Sequence, residues 1–291
     1  MVNMKKIAVV VTLIYLVESM IPEAAAGGQS NVPAEEGRMY VMIVGGIIKE
    51  PTERHAKDMV MSKLRSYFLK SCKVKPDHMS VFVDKSSSIH RDSRTSTAEN
   101  LKGAVEAVSK HARPADRFIF YYVGQANVVA KKLRLNLPGE DITHEQLAHW
   151  LKTTTASSIL IVLDCPAAGV AIKDLAAKGR TVIAACTGKQ HYSTRFGEYF
   201  VPALTESSSD TDGDSRVSLL EAFTRVSRQL EEWYRQRHLF RTETPLLEDN
   251  ADGMPSRQPW KYRQSGEDGL IASQFFLSPE KLKEVAHEPE E

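Results

Sequence analysis

Little in this sequence points to a cross-linked, membrane-embedded or polyanion-binding protein. Cysteine is scarce: 291 residues contain three, Cys72, Cys165 and Cys186. A small odd number supplies no disulfide framework, even in an oxidising compartment. An excess of either charge is also lacking. Basic and acidic residues cancel to a formal +1, so electrostatics gives no reason to expect a nucleic acid or an anionic membrane as partner. Beyond the first two dozen residues no apolar run reaches the roughly 18 residues that a spanning helix needs. Internal repeats are missing, and the only low-complexity tract is Ser207-Ser208-Ser209.

The amino-terminal stretch is different. Lys5 and Lys6 precede an apolar run from Ile7 to Val17, and Ala24-Ala25-Ala26 follows. This is the three-part pattern of a secretory signal, with cleavage expected after Ala26. The run is short for an anchor helix, and Glu18 and Glu23 close it. Residues 1–26 are therefore read as a signal peptide and 27–38 as a linker. The expected destination is the periplasm or the exterior, with no membrane span left after cleavage.

Thereafter strand-length apolar runs alternate with amphipathic stretches. The runs are Met39–Ile48, Met79–Val83, Phe118–Val123, Ile159–Leu163 and Thr181–Ala185. They show little alternation, as expected of strands buried on both faces. Helical patterns fall at 51–70, 97–111, 143–152, 169–177 and 219–237, with Ser96 or Thr95 as the expected cap of the second. A short hairpin is expected at 132–138 and a late strand at 273–277. The order predicts an α/β protein with a parallel sheet of about six strands and helices on both faces. In such sheets the binding crevice lies beyond the carboxyl ends of the strands. Those ends are Gly124-Gln125-Ala126, Asp164-Cys165-Pro166 and Cys186-Thr187-Gly188.

Two of these segments carry a resemblance. Arg117-Phe-Ile-Phe-Tyr-Tyr-Val-Gly124-Gln125 is similar to the caspase–legumain (clan CD) signature in which an apolar strand ends in Gly-His-Gly. Ile159-Leu-Ile-Val-Leu-Asp164-Cys165-Pro166-Ala-Ala-Gly169 is similar to the second signature, in which a strand ends in Asp, a small residue, the nucleophilic Cys, two more residues and Gly. Thr97-Ala-Glu-Asn100, Gly179–Ala185 and Arg195–Phe200 follow in the family's order. Residues 210–223 and 242–253 resemble the C-terminal part of bacterial secreted members. The resemblance spans 39–253 and implies a caspase-like domain there. Residues 254–291 are left as a C-terminal extension, partly disordered.

The family's chemistry requires a thiolate and an imidazole converging over the sheet edge. Here the histidine position is Gln125, and an amide takes no proton near neutral pH. The cysteine position is Pro166, which has no nucleophilic atom. Cys165, one residue earlier, is the fallback nucleophile, with His191 or His144 as a relocated base. A one-residue shift at a strand end turns a side chain to the opposite face. Cys165 and Cys186 follow neighbouring strands, which leaves a disulfide or soft-metal pair open. The expected function is that of an exported pseudopeptidase, a non-catalytic module binding a peptide or protein ligand. An active cysteine endopeptidase using Cys165 and a ligand-free structural module are the alternatives.

One further motif carries chemistry. Asp210-Thr-Asp212-Gly-Asp214-Ser215-Arg216-Val217-Ser218-Leu-Leu-Glu221 matches an EF-hand calcium loop. Side-chain oxygens stand at loop positions 1, 3, 5, 9 and 12, and Arg216 supplies a carbonyl at position 7. Ser215 replaces the glycine usual at position 6, which weakens the turn. No EF-hand type of helix precedes the loop and no second such loop is found, so a single structural calcium site is expected. Downstream, Glu248-Asp249-Asn250-Ala251-Asp252-Gly253 fits an Asx turn as readily as another cation site, and the turn is the reading adopted. Gly45-Gly46 lacks the third glycine of a dinucleotide fingerprint. His111, His144 and His149 read as helix-surface residues.

Overall fold

The strand-length runs and the helices between them define the order of elements in the computed structural model, which describes residues 37–279 except His90, Asp92 and Arg263. The signal segment, nearly all of the linker and the end of the extension lie outside the described residues. In chain order the elements are β1 (Met39–Gly45), α1 (Pro51–Lys70), β2 (Met79–Val83), β3 (Arg94–Thr95), α2 (Ala98–His111) and β4 (Arg117–Val123). A small antiparallel sheet follows, made of β5 (Ala126–Val129), β6 (Lys132–Leu135) and β7 (Ile142–Thr143). Then come α3 (His144–Leu151), β8 (Ser158–Asp164), α4 (Ile172–Leu175), β9 (Arg180–Ala184), α5 (Phe196–Thr205), α6 (Leu219–Gln236), β10 (Leu246–Glu248) and α7 (Leu270–Ser273).

The main sheet has seven strands in the order β10-β9-β8-β4-β1-β2-β3. All neighbours are parallel except β10, which runs antiparallel to β9. The strand count exceeds expectation because β3 and β10 are too short to show as apolar runs. Helices cover both faces. Val60, Leu64, Phe196, Phe200, Phe223 and Leu230 from α1, α5 and α6 pack on one, and Leu101, Val105, Leu147 and Ile172 from α2, α3 and α4 on the other. Each such side chain contributes about 1.5–3 kcal/mol by leaving water.

Several local expectations are corrected. Thr97, not Ser96 or Thr95, caps α2, its side chain accepting from Asn100 N. The hairpin turns earlier than predicted, at Ala130 and Lys131, both with positive φ. The helix at 169–177 is a 3-10 turn followed by one short α-turn. Residues 273–277 form no strand; α7 ends there, and Phe276 makes a single bridge with Ser218. Part of the extension is folded onto the core, since Phe275 and Leu277 are buried. Among the described residues no helix is long and apolar enough to cross a membrane.

The strand order reverses between β1 and β4, so the crevice of such a sheet opens beyond Gly45 and Val123. Here the two strand ends meet closely. Gly46 N donates to Val123 O (2.9 Å) and Gly124 N to Asp164 O (3.3 Å). A Cβ on Gly46 would lie 2.0 Å from Tyr122 Oη. Only glycine lets these loops touch.

Candidate functional site

Gln125 projects from the end of β4 toward the first turn of α1. Its Nε2 donates to Glu53 Oε1 at 2.8 Å, and Ser193 Oγ donates to the same oxygen at 2.5 Å. An amide, a carboxylate and a hydroxyl thus form the lip of the crevice. None of the three is an imidazole.

Asp164, the last residue of β8, points to the α1 and α5 side. Lys57 Nζ stands 3.4 Å from both of its oxygens, and both residues are buried. Lys57 also donates to Thr194 O at 2.5 Å. Asp164 further accepts from Thr194 Oγ1 (2.5 Å) and Gly197 N (3.2 Å). Gly197 is a glycine by necessity: a Cβ there would meet Asp164 Oδ2 at 2.4 Å and Val60 Cγ1 at 2.7 Å. Next along the network, Glu243 accepts from Arg195 N (2.8 Å) and Tyr234 Oη (3.1 Å). Burial pushes the Glu243 carboxyl up to about 7; the Asp164 charge adds to this, while Arg195 N, Lys57 and Tyr234 oppose it.

Cys165 turns to the opposite face and is 0% exposed. Burial drives its thiol well above the usual range, aided by the charges of Cys186 and Asp164 and opposed by Lys57. Such a thiol stays protonated, the reverse of an activated nucleophile. Pro166 is buried beside it. Cys186 donates through Sγ to Cys165 O (3.3 Å), and burial pushes its thiol up to about 12. All three cysteines are free. His144 is buried rather than on the helix surface. Its Nδ1 accepts from Leu133 N (3.1 Å) and Nε2 faces Asp174 Oδ2 (2.8 Å), so it is committed to pinning β6. His191 is exposed. The fallback dyad is not assembled.

Around the lip the loops are polar and open. Gln190 ties them together, its Oε1 accepting from Thr187 N (3.0 Å) and its Nε2 donating to Thr244 Oγ1 (3.2 Å). On the two tied segments Tyr192 is 67% exposed and Phe240 95%.

The acidic loop lies elsewhere, before α6. The Asp210, Asp212 and Asp214 carboxylates converge within 4.8 Å of one another. Asp210 Oδ2 accepts from Ser215 N (2.9 Å), Asp212 Oδ1 from Asp214 N (3.1 Å) and Asp214 Oδ1 from Arg216 N (2.7 Å). Gly213 and Ser215 take positive φ, 77° and 66°, so Ser215 does adopt the turn of loop position 6. Asp212 is pushed upward: the Asp214 amide lowers it, but partial burial and the charges of Glu221, Asp214 and Asp210 prevail. Glu221 is turned to other work. Its Oε1 accepts from Thr211 N (2.6 Å), and Oε2 from Ser218 N (2.9 Å), closing a capping box with Ser218 on α6. The preceding helix, α5, ends at Thr205 and is separated from Asp210 by a 3-10 turn, so it does not run into the loop as an EF-hand helix would. The aspartate trio offers hard oxygen donors, while the twelfth-position carboxylate is held by the Thr211 and Ser218 amides.

Sequence reasoning found the strand ends and the loop but missed Glu53, Lys57, Thr194 and Glu243. Lys57 left one trace, a lysine on the apolar stripe of α1 shared with Val60, Met61 and Leu64. No protein-family model matches this chain, and no curated protein matches it.

Proposed function

We propose that this chain is an exported, caspase-like pseudopeptidase: a non-catalytic module that binds a peptide or protein segment at its strand-end lip and carries a structural calcium ion. The observation that carries the reading is the pairing of Gln125 with Glu53, to which Ser193 also donates, where the resemblance places an imidazole. A buried, protonated Cys165 argues in the same direction. With neither base nor thiolate, acyl transfer has no starting point. Tyr192 and Phe240 supply apolar anchors for an extended ligand.

The test is a peptide and peptide-ketone panel applied to the mature protein and to Cys165→Ala. Equal, background-level turnover and labelling are expected in both. Cleavage or labelling that vanishes in Cys165→Ala overturns the reading in favour of an active endopeptidase. Peptides retained without turnover should lose binding tenfold or more in Tyr192→Ala; no retained peptide at all favours a purely structural module.

For calcium, chelation is expected to lower the melting temperature, and Asp212→Asn to abolish the difference. Asp212 is the better probe than Glu221, whose carboxylate also caps α6. Identical melting curves with and without chelator would remove calcium from the proposal.

A further inference from the structure

The segment after β10 behaves as the sequence predicts in one respect: Asn250 Oδ1 accepts from Asp252 N at 2.9 Å, an Asx turn. Yet the turn is part of a larger correspondence. Gly253 N donates to Glu248 Oε1 (3.3 Å) and Met254 N to Asp252 Oδ1 (2.7 Å). Counting Glu248 as position 1, these bonds run from 6 to 1, from 5 to 3 and from 7 to 5. The loop at Asp210 makes the same three, from Ser215, Asp214 and Arg216. The backbone agrees as well. Positions 4 and 6 have positive φ in both loops: Gly213 and Ser215 in the first, Ala251 (70°) and Gly253 (73°) in the second. The second loop even carries the glycine at position 6 that the first lacks.

Shared loop geometry does not by itself require an ion. The independent observation is Glu248. Its residue is 0% exposed, one carboxylate oxygen faces the loop through Gly253 N, and the other, Oε2, has no hydrogen-bond partner. Buried carboxylate oxygens in folded proteins find a donor or a cation. Beside the loop lies a pocket of about 460 Å³ lined by Asn250, Asp252, Met254, Ser256, Glu267 and Asp268. Those residues include loop positions 3, 5, 7 and 9. Lys261 is on the same wall and exposed, so it can swing into solvent. Asp268 and Glu267 bring two further carboxylates to the wall of this pocket.

We propose that Glu248–Ser256 is a second calcium-class cation loop, with oxygens from Glu248, Asn250, Asp252, the Met254 carbonyl and Ser256, and with Asp268 or Glu267 completing the set across the pocket. Hard cations take six to eight such oxygens. The inference is independent of the pseudopeptidase reading and of the first loop.

Calorimetric titration of calcium into the full chain, with terbium emission sensitised by Trp260 and Tyr262 as a second readout, tests it. The variants are Asp212→Asn, Asp252→Asn and Asn250→Ala, each checked for folding by circular dichroism. The second-loop side chains altered, Asp252 and Asn250, are not core residues. Asp252→Asn and Asn250→Ala are expected to weaken one calcium equivalent tenfold or more and to cut the terbium signal, while Asp212→Asn spares both. Unchanged stoichiometry, affinity and emission in folded Asp252→Asn and Asn250→Ala overturn the proposal. A single equivalent that disappears in Asp212→Asn also overturns it, leaving only the first loop. A single equivalent that survives Asp212→Asn and disappears in Asp252→Asn supports it and discards the first loop instead. A protein that binds no calcium refutes both.

Discussion

Replacing Lys57 by Met is expected to destabilise the fold by about 3–5 kcal/mol, because it strands a carboxylate in the core. Asp164 is fully buried, and Lys57 is the one cation that its oxygens meet among the described residues. Removing the ammonium leaves only Thr194 Oγ1 and Gly197 N to stabilise the charge. Asp164→Asn leaves the opposite problem, an unpaired ammonium held by Thr194 O. Combining the two removes both charges while the amide still accepts from Thr194 or Gly197. The double variant is therefore expected to be more stable than Lys57→Met alone by about 1–3 kcal/mol, a coupling typical of groups in one network. Urea unfolding of the four proteins measures the cycle. Additive losses, or a Lys57→Met cost below about 1 kcal/mol, would mean that water reaches Asp164. This pair also bears on function. It ties α1, β8 and the segment before α5 together directly beneath Gln125, Glu53 and Ser193, so the lip is held by the core.

The β-runs and the long helices were legible because their signals are local. Continuous Val, Ile, Phe and Tyr runs gave β1, β2, β4, β8 and β9 within a few residues, and amphipathic spacing gave α1, α2, α3 and α6. What escaped is what depends on distant partners. Helix α5 contains Gly197 and Pro202, both unfavourable in a helix interior. It forms because Gly197 alone fits against Asp164 and Val60, and because Phe196 and Phe200 are buried on the sheet. Strand β10 is three residues long and exists by pairing with β9. At the site, Gln125 and Pro166 were readable as strand-end residues because apolar runs precede them. The partners of Gln125 were not: Glu53 lies 72 residues from Gln125 and Ser193 lies 140 from Glu53, and no sequence pattern joins them. The acidic loop was legible as a motif, and its position-by-position likeness to the Glu248 loop emerges only from backbone φ angles and hydrogen bonds.

The strongest pH dependence is expected from Glu243, and its direction is opposite to that of ordinary acid denaturation. Its carboxyl is raised in the folded state from the ordinary 4.5 to about 7. A carboxyl with a raised folded value is favoured in its protonated form, so the native state binds a proton that the unfolded chain has released. Stability is therefore greatest below about pH 4.5 as far as this group is concerned. It falls as pH rises through the interval up to about 7, and the full penalty persists above it. The shift corresponds to at most about 3 kcal/mol for a residue this buried. Asp268, also raised to about 7, acts in the same sense over the same interval. Asp116 opposes both. Although burial alone would raise it, donors from Arg38 and Arg113 hold it well below the usual range, so its contribution is lost only in strong acid. Glu243→Gln should keep acceptors for Arg195 N and Tyr234 Oη while removing the charge. The difference in unfolding free energy between pH 5 and pH 8, lower at pH 8, is expected to shrink by about 2–3 kcal/mol in Glu243→Gln, with the Asp268 share remaining. If the variant keeps the wild-type slope between those pH values, Glu243 is ionised at no cost and the buried network reaches solvent through the lip.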